Sequence, residues 1–290
     1  MPSALLEAMR PRQWTKNLFV FAGVIFGRQL TDPWALGTSV AAFLVFCLLS
    51  SGVYLINDLV DAERDRQHPT KRERPIASGR LAPGVARTAA IGLLLVSLAW
   101  AWAISWPFAV LALIYVLLNL AYTLRLKHVV ILDVLCIAIF FVLRAAAGAA
   151  AIDVIISHWL LICTILIALF IALSKRRHEL VLLSNDAGSH RASLIEYSPY
   201  LLDQMIAVAT ASTLMAYILY TVDARTVHEF GSDRLSYTIP FVIFGIFRYL
   251  YLVHQKGEGG NPDRIIVSDR QFLVNLLLWG MTVGLVIYLR

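Results

Sequence analysis

Nine apolar runs, most of them about 20 residues long and so long enough to cross a membrane, restrict the fold of this chain more than any other feature. They lie at about 16–31, 34–56, 85–104, 107–124, 130–152, 157–174, 199–222, 236–255 and 269–289. The first is short and is interrupted by Gly23, Gly27 and Arg28. Backbone in lipid must satisfy its own hydrogen bonds, so runs of this length form helices. Of the 290 residues, 59% are hydrophobic and 15% charged; a soluble domain would carry roughly a quarter charged. The expected fold is an all-α, polytopic membrane protein of nine transmembrane helices, a single domain over 1–290. Its long polar connections fall at 57–84, 175–198 and 256–268.

The N-terminal run has basic residues before it (Arg10, Arg12, Lys16), but no small-residue cleavage site follows it cleanly. It reads as a retained first span. With the N-terminus in the cytoplasm, only Arg28, Arg225, Arg234 and Arg290 fall on the far side. Arg144 and Arg248 lie within spans, and the rest of the 25 Lys and Arg share the cytoplasmic face. That asymmetry supports an odd number of spans and a C-terminus on the opposite side. The net charge of +6 speaks to orientation and anionic ligands, and no nucleic-acid-binding module is present. Cys47, Cys136 and Cys163 lie far apart in apolar runs, without the spacing of a thiolate metal site.

The second span runs without a break into "NDLVDAERDRQHPTKRERPIASG", residues 57–79. Asp58, Asp61 and Asp65 are spaced i, i+3, i+7, which places them within about 60° of one another on a helix. Stacked carboxylates repel, and two arrangements relieve them. One is a solvated helix end with ion pairs to neighbours such as Arg64 and Arg66. The other is a divalent cation: hard oxygen ligands suit Mg²⁺, which binds through one or two carboxylates plus substrate phosphates. Asn57 adds a neutral amide, and Lys71, Arg72 and Arg74 add donors for phosphate.

"NDLVDAERD" followed by "KRERPIASG" resembles the first aspartate-rich motif of the UbiA superfamily of intramembrane prenyltransferases. "YTLRLKHVVILDV" and "LRAAAGAAA" resemble that family's fourth and fifth spans, so the likeness covers essentially the whole chain. It implies a central cavity opening to the cytoplasmic face of a bacterial inner membrane. After the sixth span, family members carry a second acidic motif. Here the segment reads "LSKRRHEL", with Lys175, Arg176, Arg177 and His178 where carboxylates are expected. A basic cluster beside a span favours phosphate over metal. One branch fits better, the decaprenyl-phosphate phosphoribosyltransferases. "MRPRQWTKNLFVF", "SKRRHEL", "HRASLIEYS", "FRYLYL" and "DRIIVSDR" resemble that branch.

The resemblance implies transfer of phosphoribose from phosphoribosyl pyrophosphate to a polyprenyl phosphate lipid, with inversion, toward cell-wall arabinose precursors. It places Mg²⁺ on Asp58, Asp61 and Asp65, with Asn57 assisting and Asp58, Asp61 and Lys71 catalytic. Lys16, Arg72 and Arg74, with Lys71, are expected to hold phosphates. Lys175, Arg176 and Arg177 are expected to take the ribose 5-phosphate or the lipid phosphate. Tyr197 is expected to contact ribose or phosphate, and Arg248 the substrate. Intramembrane Arg144 serves either function or a structural pairing, and Asp133 is expected to pair with Lys127. Small-residue faces such as "RAAAGAAA" allow close packing, including homo-oligomer contacts. Two other functions stay open. A prenyltransferase using a polyprenyl diphosphate is disfavoured by the missing second acidic motif. A transporter would place its charges near the midplane, whereas these cluster at one face.

Overall fold

A computed structural model describes residues 2–183, 194, 196–257 and 268–288. The remainder of the 175–198 connection, and most of "HRASLIEYS" and "DRIIVSDR", lie outside the described residues. Among those described, all regular structure is helical. The α-helices are α1 (Pro2–Met9), α2 (Ala22–Phe26), α3 (Pro33–Gln67), α4 (Pro83–Ile104), α5 (Trp106–Leu124), α6 (Leu132–Ala151), α7 (His158–Leu183), α8 (Pro199–Val222), α9 (Ala224–Phe230), α10 (Ile239–Gln255) and α11 (Arg270–Tyr288). Several starts follow local rules. Asp32, Ser105 and Ser198 each accept a hydrogen bond from a backbone N–H of the first turn, with Pro at the first or second helical position.

Eight helices among the described residues are long and apolar enough to cross a membrane, and they coincide with eight of the nine apolar runs. The first run differs. It forms a 3-10 helix over Pro11–Phe21 that continues into α2. With rises of about 2.0 Å per 3-10 residue and 1.5 Å per α residue, the segment extends about 30 Å, the thickness of a bilayer core. The stretched geometry lets a run too short for an α-helical span cover the same distance.

The chain divides into two compact units, Met1–Lys127 with Phe140–Ile156, and His128–Ile139 with Ser157–Arg290. In the first, the 3-10 segment lies along α3 and the end of α6. A 3-10 helix has three residues per turn, so positions three apart share one stripe. Trp14, Asn17 and Val20 form that stripe. Trp14 Nε1 donates to Ser51 Oγ (3.1 Å), and Asn17 Nδ2 donates to Ser50 Oγ (3.2 Å). Val20 meets Gly148 and Gly23 meets Ala149; a Cβ on Gly148 would lie 1.8 Å from the Val20 carbonyl oxygen. Arg144, 5% exposed, seals the contact: Nε donates to Asn17 Oδ1 (2.8 Å), Nη2 to the Tyr115 hydroxyl (2.9 Å) and Nη1 to the Phe140 carbonyl (2.9 Å). Its guanidinium also lies 4.9 Å from the Tyr115 ring centre. Of the two roles open to Arg144, the structure supports the pairing inside the helix bundle.

In the second unit, Phe170, Leu202, Ile206, Tyr249 and Leu252 form the buried centre. Tyr217 bridges Trp279 Nε1 (3.0 Å) and Thr238 Oγ1 (2.7 Å), joining α8, α11 and the 3-10 turn before α10. Trp34, Trp102 and Trp106 are exposed at helix ends, where the polar edge of an indole favours the lipid–water interface.

Candidate functional site

The acidic motif lies on α3, which runs 35 residues without interruption. At 1.5 Å per residue, Asp58 falls about 37 Å from the helix start, just past a bilayer's hydrocarbon core. The polar stretch 57–67 is therefore helical, so its carboxylates do share a face. Their partners are not those the sequence suggests. Asp58, 2% exposed, pairs through Oδ1 with Arg10 and with Arg74 Nη1 (3.2 Å). The same Arg74 nitrogen donates to Asp65 Oδ2 at 2.6 Å. Asp61 receives Lys127 Nζ on both oxygens, at 2.7 and 2.8 Å. Thr123 Oγ1 donates to Asn57 Oδ1. Arg66 pairs with Glu63 (2.7 Å) and not with the aspartates.

The expected convergence of Asp58, Asp61 and Asp65 is not what the structure shows. Among the described residues no three His, Cys, Asp or Glu side chains gather as a metal cage. The reason is electrostatic: Arg74 draws Asp58 and Asp65 to one guanidinium, while Asp61 turns away to Lys127. The residues still fit a hard divalent ion. Among the described residues, buried Asp58 Oδ2 has no hydrogen-bond partner, an expensive state for a carboxylate oxygen that a cation would relieve. Mg²⁺ asks for only one or two carboxylates beside phosphates and water.

Arg10, Thr123 and Lys127 contact the aspartate motif, and the sequence did not place them there. Asn119, Thr123 and Lys127 recur every fourth residue at the end of an apolar helix, a polar stripe that was visible in principle. Arg10 lies within "MRPRQWTKNLFVF", but nothing in that stretch marks it as a partner of Asp58. Lys71 and Arg72 sit in a 3-10 turn, Lys71–Glu73, close to Arg74, with Arg72 exposed and Lys71 half-buried. Pro75 is buried and Gly79 takes φ +78, which turns the chain toward α4. Lys16 is half-buried on the 3-10 segment.

The second unit holds the other basic residues, and here three expectations need correction. Arg176 is 3% exposed and fixed by Asp133 Oδ2 (2.9 Å) and Glu179. Tyr197 is 5% exposed and donates to Asp133 Oδ1 (2.8 Å) while accepting from the Ile131 amide (2.7 Å). Burial pushes its phenol up to about 12, so it stays a donor. Asp133 thus pairs with Arg176 and Tyr197, and Lys127 with Asp61. These buried groups tie α7, α6 and the Tyr197 segment together. Tyr197→Phe is expected to lower stability by about 1–2 kcal/mol by leaving buried partners unpaired, read as a lower melting temperature in detergent. Arg177 pairs with Asp203, which also faces His254 Nε2 (3.2 Å). Arg248 pairs with Asp269 Oδ2 (2.8 Å) and stacks on Tyr251 (5.1 Å to the ring centre). Asp269 also caps α11 by accepting from the Phe272 amide at 2.7 Å, and the Arg248 bond holds its carboxyl below the usual range. Lys175 is exposed at the end of the apolar part of α7.

A helical membrane fold with an aspartate-bearing helix end is the arrangement expected of an intramembrane transferase. The chain belongs to the UbiA prenyltransferase family, whose model matches residues 17–283. A decaprenyl-phosphate phosphoribosyltransferase of Mycolicibacterium smegmatis is 34% identical over 99% of this chain and 93% of its own length. One from Corynebacterium glutamicum is 33% identical over 100% of this chain and 88% of its own. Among solved structures, a UbiA homologue from Archaeoglobus fulgidus bound to DMAPP and Mg²⁺ superposes with a TM-score of 0.76, covering 99% of each chain at 21% identity.

Proposed function

We propose that this protein transfers phosphoribose from 5-phosphoribosyl 1-pyrophosphate to a polyprenyl phosphate and releases pyrophosphate. The observation that carries the reading is the buried Asp58, one oxygen unpartnered and the other between two arginines, at the end of an apolar helix. Such a group suits a metal–diphosphate held at the membrane surface. The end of α7 carries no second acidic motif for a second ion and leaves Lys175 exposed, which favours a donor and acceptor with additional phosphates. The naming of the mycobacterial and corynebacterial relatives supports the same choice.

In this reading Asp58 and Asp61, with Asn57 and Asp65 beside them, hold Mg²⁺, which neutralises charge on the leaving diphosphate when bound. Arg74, Lys71 and Arg72 bind diphosphate oxygens, and Lys16 a further phosphate. Of the α7 cluster, Lys175 is the exposed member offered to a phosphate. A lipid phosphate oxygen attacks the anomeric carbon in line. The C1–O bond to pyrophosphate breaks, and its electron pair leaves with pyrophosphate. The nucleophile is already anionic, so no general base is needed; positioning and charge stabilisation supply the rate. We place the aspartates on the cytoplasmic side, on the distribution of Lys and Arg.

A donor screen tests this. Purified protein with a polyprenyl phosphate is offered phosphoribosyl pyrophosphate, and separately a polyprenyl diphosphate with aromatic acceptors. The expected lipid product, by mass spectrometry, gains one phosphoribosyl group only with the first donor. A product formed only from the prenyl donor would replace this reading with prenyl transfer.

A further inference from the structure

Arg10 combines three unusual features. It joins α1 to the 3-10 segment with φ 55 and ψ 60, the left-handed region. A side chain is strained there, and a following proline, Pro11, disfavours it further. Its guanidinium lies 4.9 Å from the Tyr54 ring centre and pairs with Oδ1 of the buried Asp58. It is also held in place from both sides. Ser51 Oγ donates to the Met9 carbonyl at 3.1 Å. Ala4 and Ala8 of α1 pack in a buried cluster with Leu55, Ile76 and Leu81. Glu7 receives both terminal nitrogens of Arg80 at 2.7 and 2.8 Å, and this pairing holds its carboxyl below the usual range. Strain that the surroundings maintain points to a functional constraint.

We propose that Arg10 is a placeholder cation, holding Asp58 while the site is empty and transferring to the donor's diphosphate when metal and donor arrive together. The inference rests on reading the aspartates as the metal–diphosphate site. Asp58 has one oxygen covered by arginines and one bare and buried. A divalent ion arriving alone meets a carboxylate already neutralised on one side, and competes with Arg10 for it. An ion arriving with a diphosphate brings negative charge that draws Arg10 and Arg74 off the carboxylate. Arg10 is 27% exposed at the side chain, so this move takes it toward solvent-accessible space and not through the core. The consequence is coupling: the ion binds weakly by itself and strongly with diphosphate. Arg10 is then a positioning residue that makes the two bind as a unit.

The test measures Mn²⁺ binding by electron paramagnetic resonance, on the full-length protein in detergent, without ligand and with inorganic pyrophosphate. In wild type, pyrophosphate is expected to tighten Mn²⁺ binding more than about tenfold beyond their association in buffer. In Arg10→Gln, Mn²⁺ alone is expected to bind about tenfold tighter, and the gain from pyrophosphate to shrink. Arg10→Gly is the second variant. It removes the same cation and suits the left-handed backbone, so it keeps the test open if the glutamine variant does not fold. Mn²⁺ affinity unchanged or weaker in a folded variant overturns the placeholder role. The readout needs no turnover: a failed donor screen with tighter Mn²⁺ binding in the variants would overturn phosphoribosyl transfer and leave the role of Arg10 standing.

Discussion

Asp58→Asn is expected to lower turnover by about 10²–10³-fold or more, with the protein still folded. The amide keeps the size of the side chain and an oxygen to accept from Arg10 and Arg74, so the packing at the end of α3 is retained. What it removes is the charge that a divalent ion requires. Loss of one electrostatic group aimed at a developing anion typically costs two to three orders of magnitude, and a metal ligand acts on the same charge. The arginines do not become stranded: both are more than a quarter exposed at the side chain, and Arg74 keeps Asp65 at 2.6 Å. Asp61→Asn is expected to act in the same direction, since it leaves Lys127 facing a neutral group and removes the other carboxylate. Initial rates of lipid-product formation, with melting curves in the same detergent, check both. Near-native rates in the two variants would remove these aspartates from the metal role.

Gly148→Ala is expected to destabilise the first unit by about 3 kcal/mol or more, at the upper end of overpacking costs. The added methyl group would sit 1.8 Å from the Val20 carbonyl oxygen and 2.6 Å from its carbon. Both are backbone atoms, so no rotamer change relieves the clash. Either the 3-10 segment must move off α6 or α6 must bend. Moving it also parts Asn17 from Arg144, now 2.8 Å apart, and leaves a buried cation short of a partner. The effect appears as a lower melting temperature and less monodisperse protein on size exclusion. Gly92→Ala is the control: its Cβ would meet nothing within 4 Å, and little change is expected.

Much of the architecture was legible because it depends on local chemistry. Eight of the spans appear where the apolar runs put them, and Asp32, Ser105 and Ser198 mark three starts. The first span was harder to read because its 3-10 geometry answers to its neighbours. In an α-helix, Trp14, Asn17 and Val20 would spiral around the axis; in a 3-10 helix they align, and Ser51, Ser50 and Gly148 are there to receive them. The second basic cluster misled for a related reason. "SKRRHEL" looks like one phosphate site, yet Arg176 is buried against Asp133 and Arg177 pairs with Asp203. Side chains adjacent in sequence point to different faces of a helix, and only their surroundings say which of them meets a carboxylate.

The sequence by itself determined a helical membrane protein with three aspartates on one face of a helix end. Run length, backbone hydrogen bonding and helical periodicity set those features, and none of them needs a distant partner. Tertiary structure alone decided what the aspartates meet. Arg10 reaches Asp58 across 48 positions, Arg74 across 16, and Lys127 reaches Asp61 across 66. Electrostatic pairing acts through space and leaves no periodicity in the chain, so the cations that balance this site emerge only once the helices are packed.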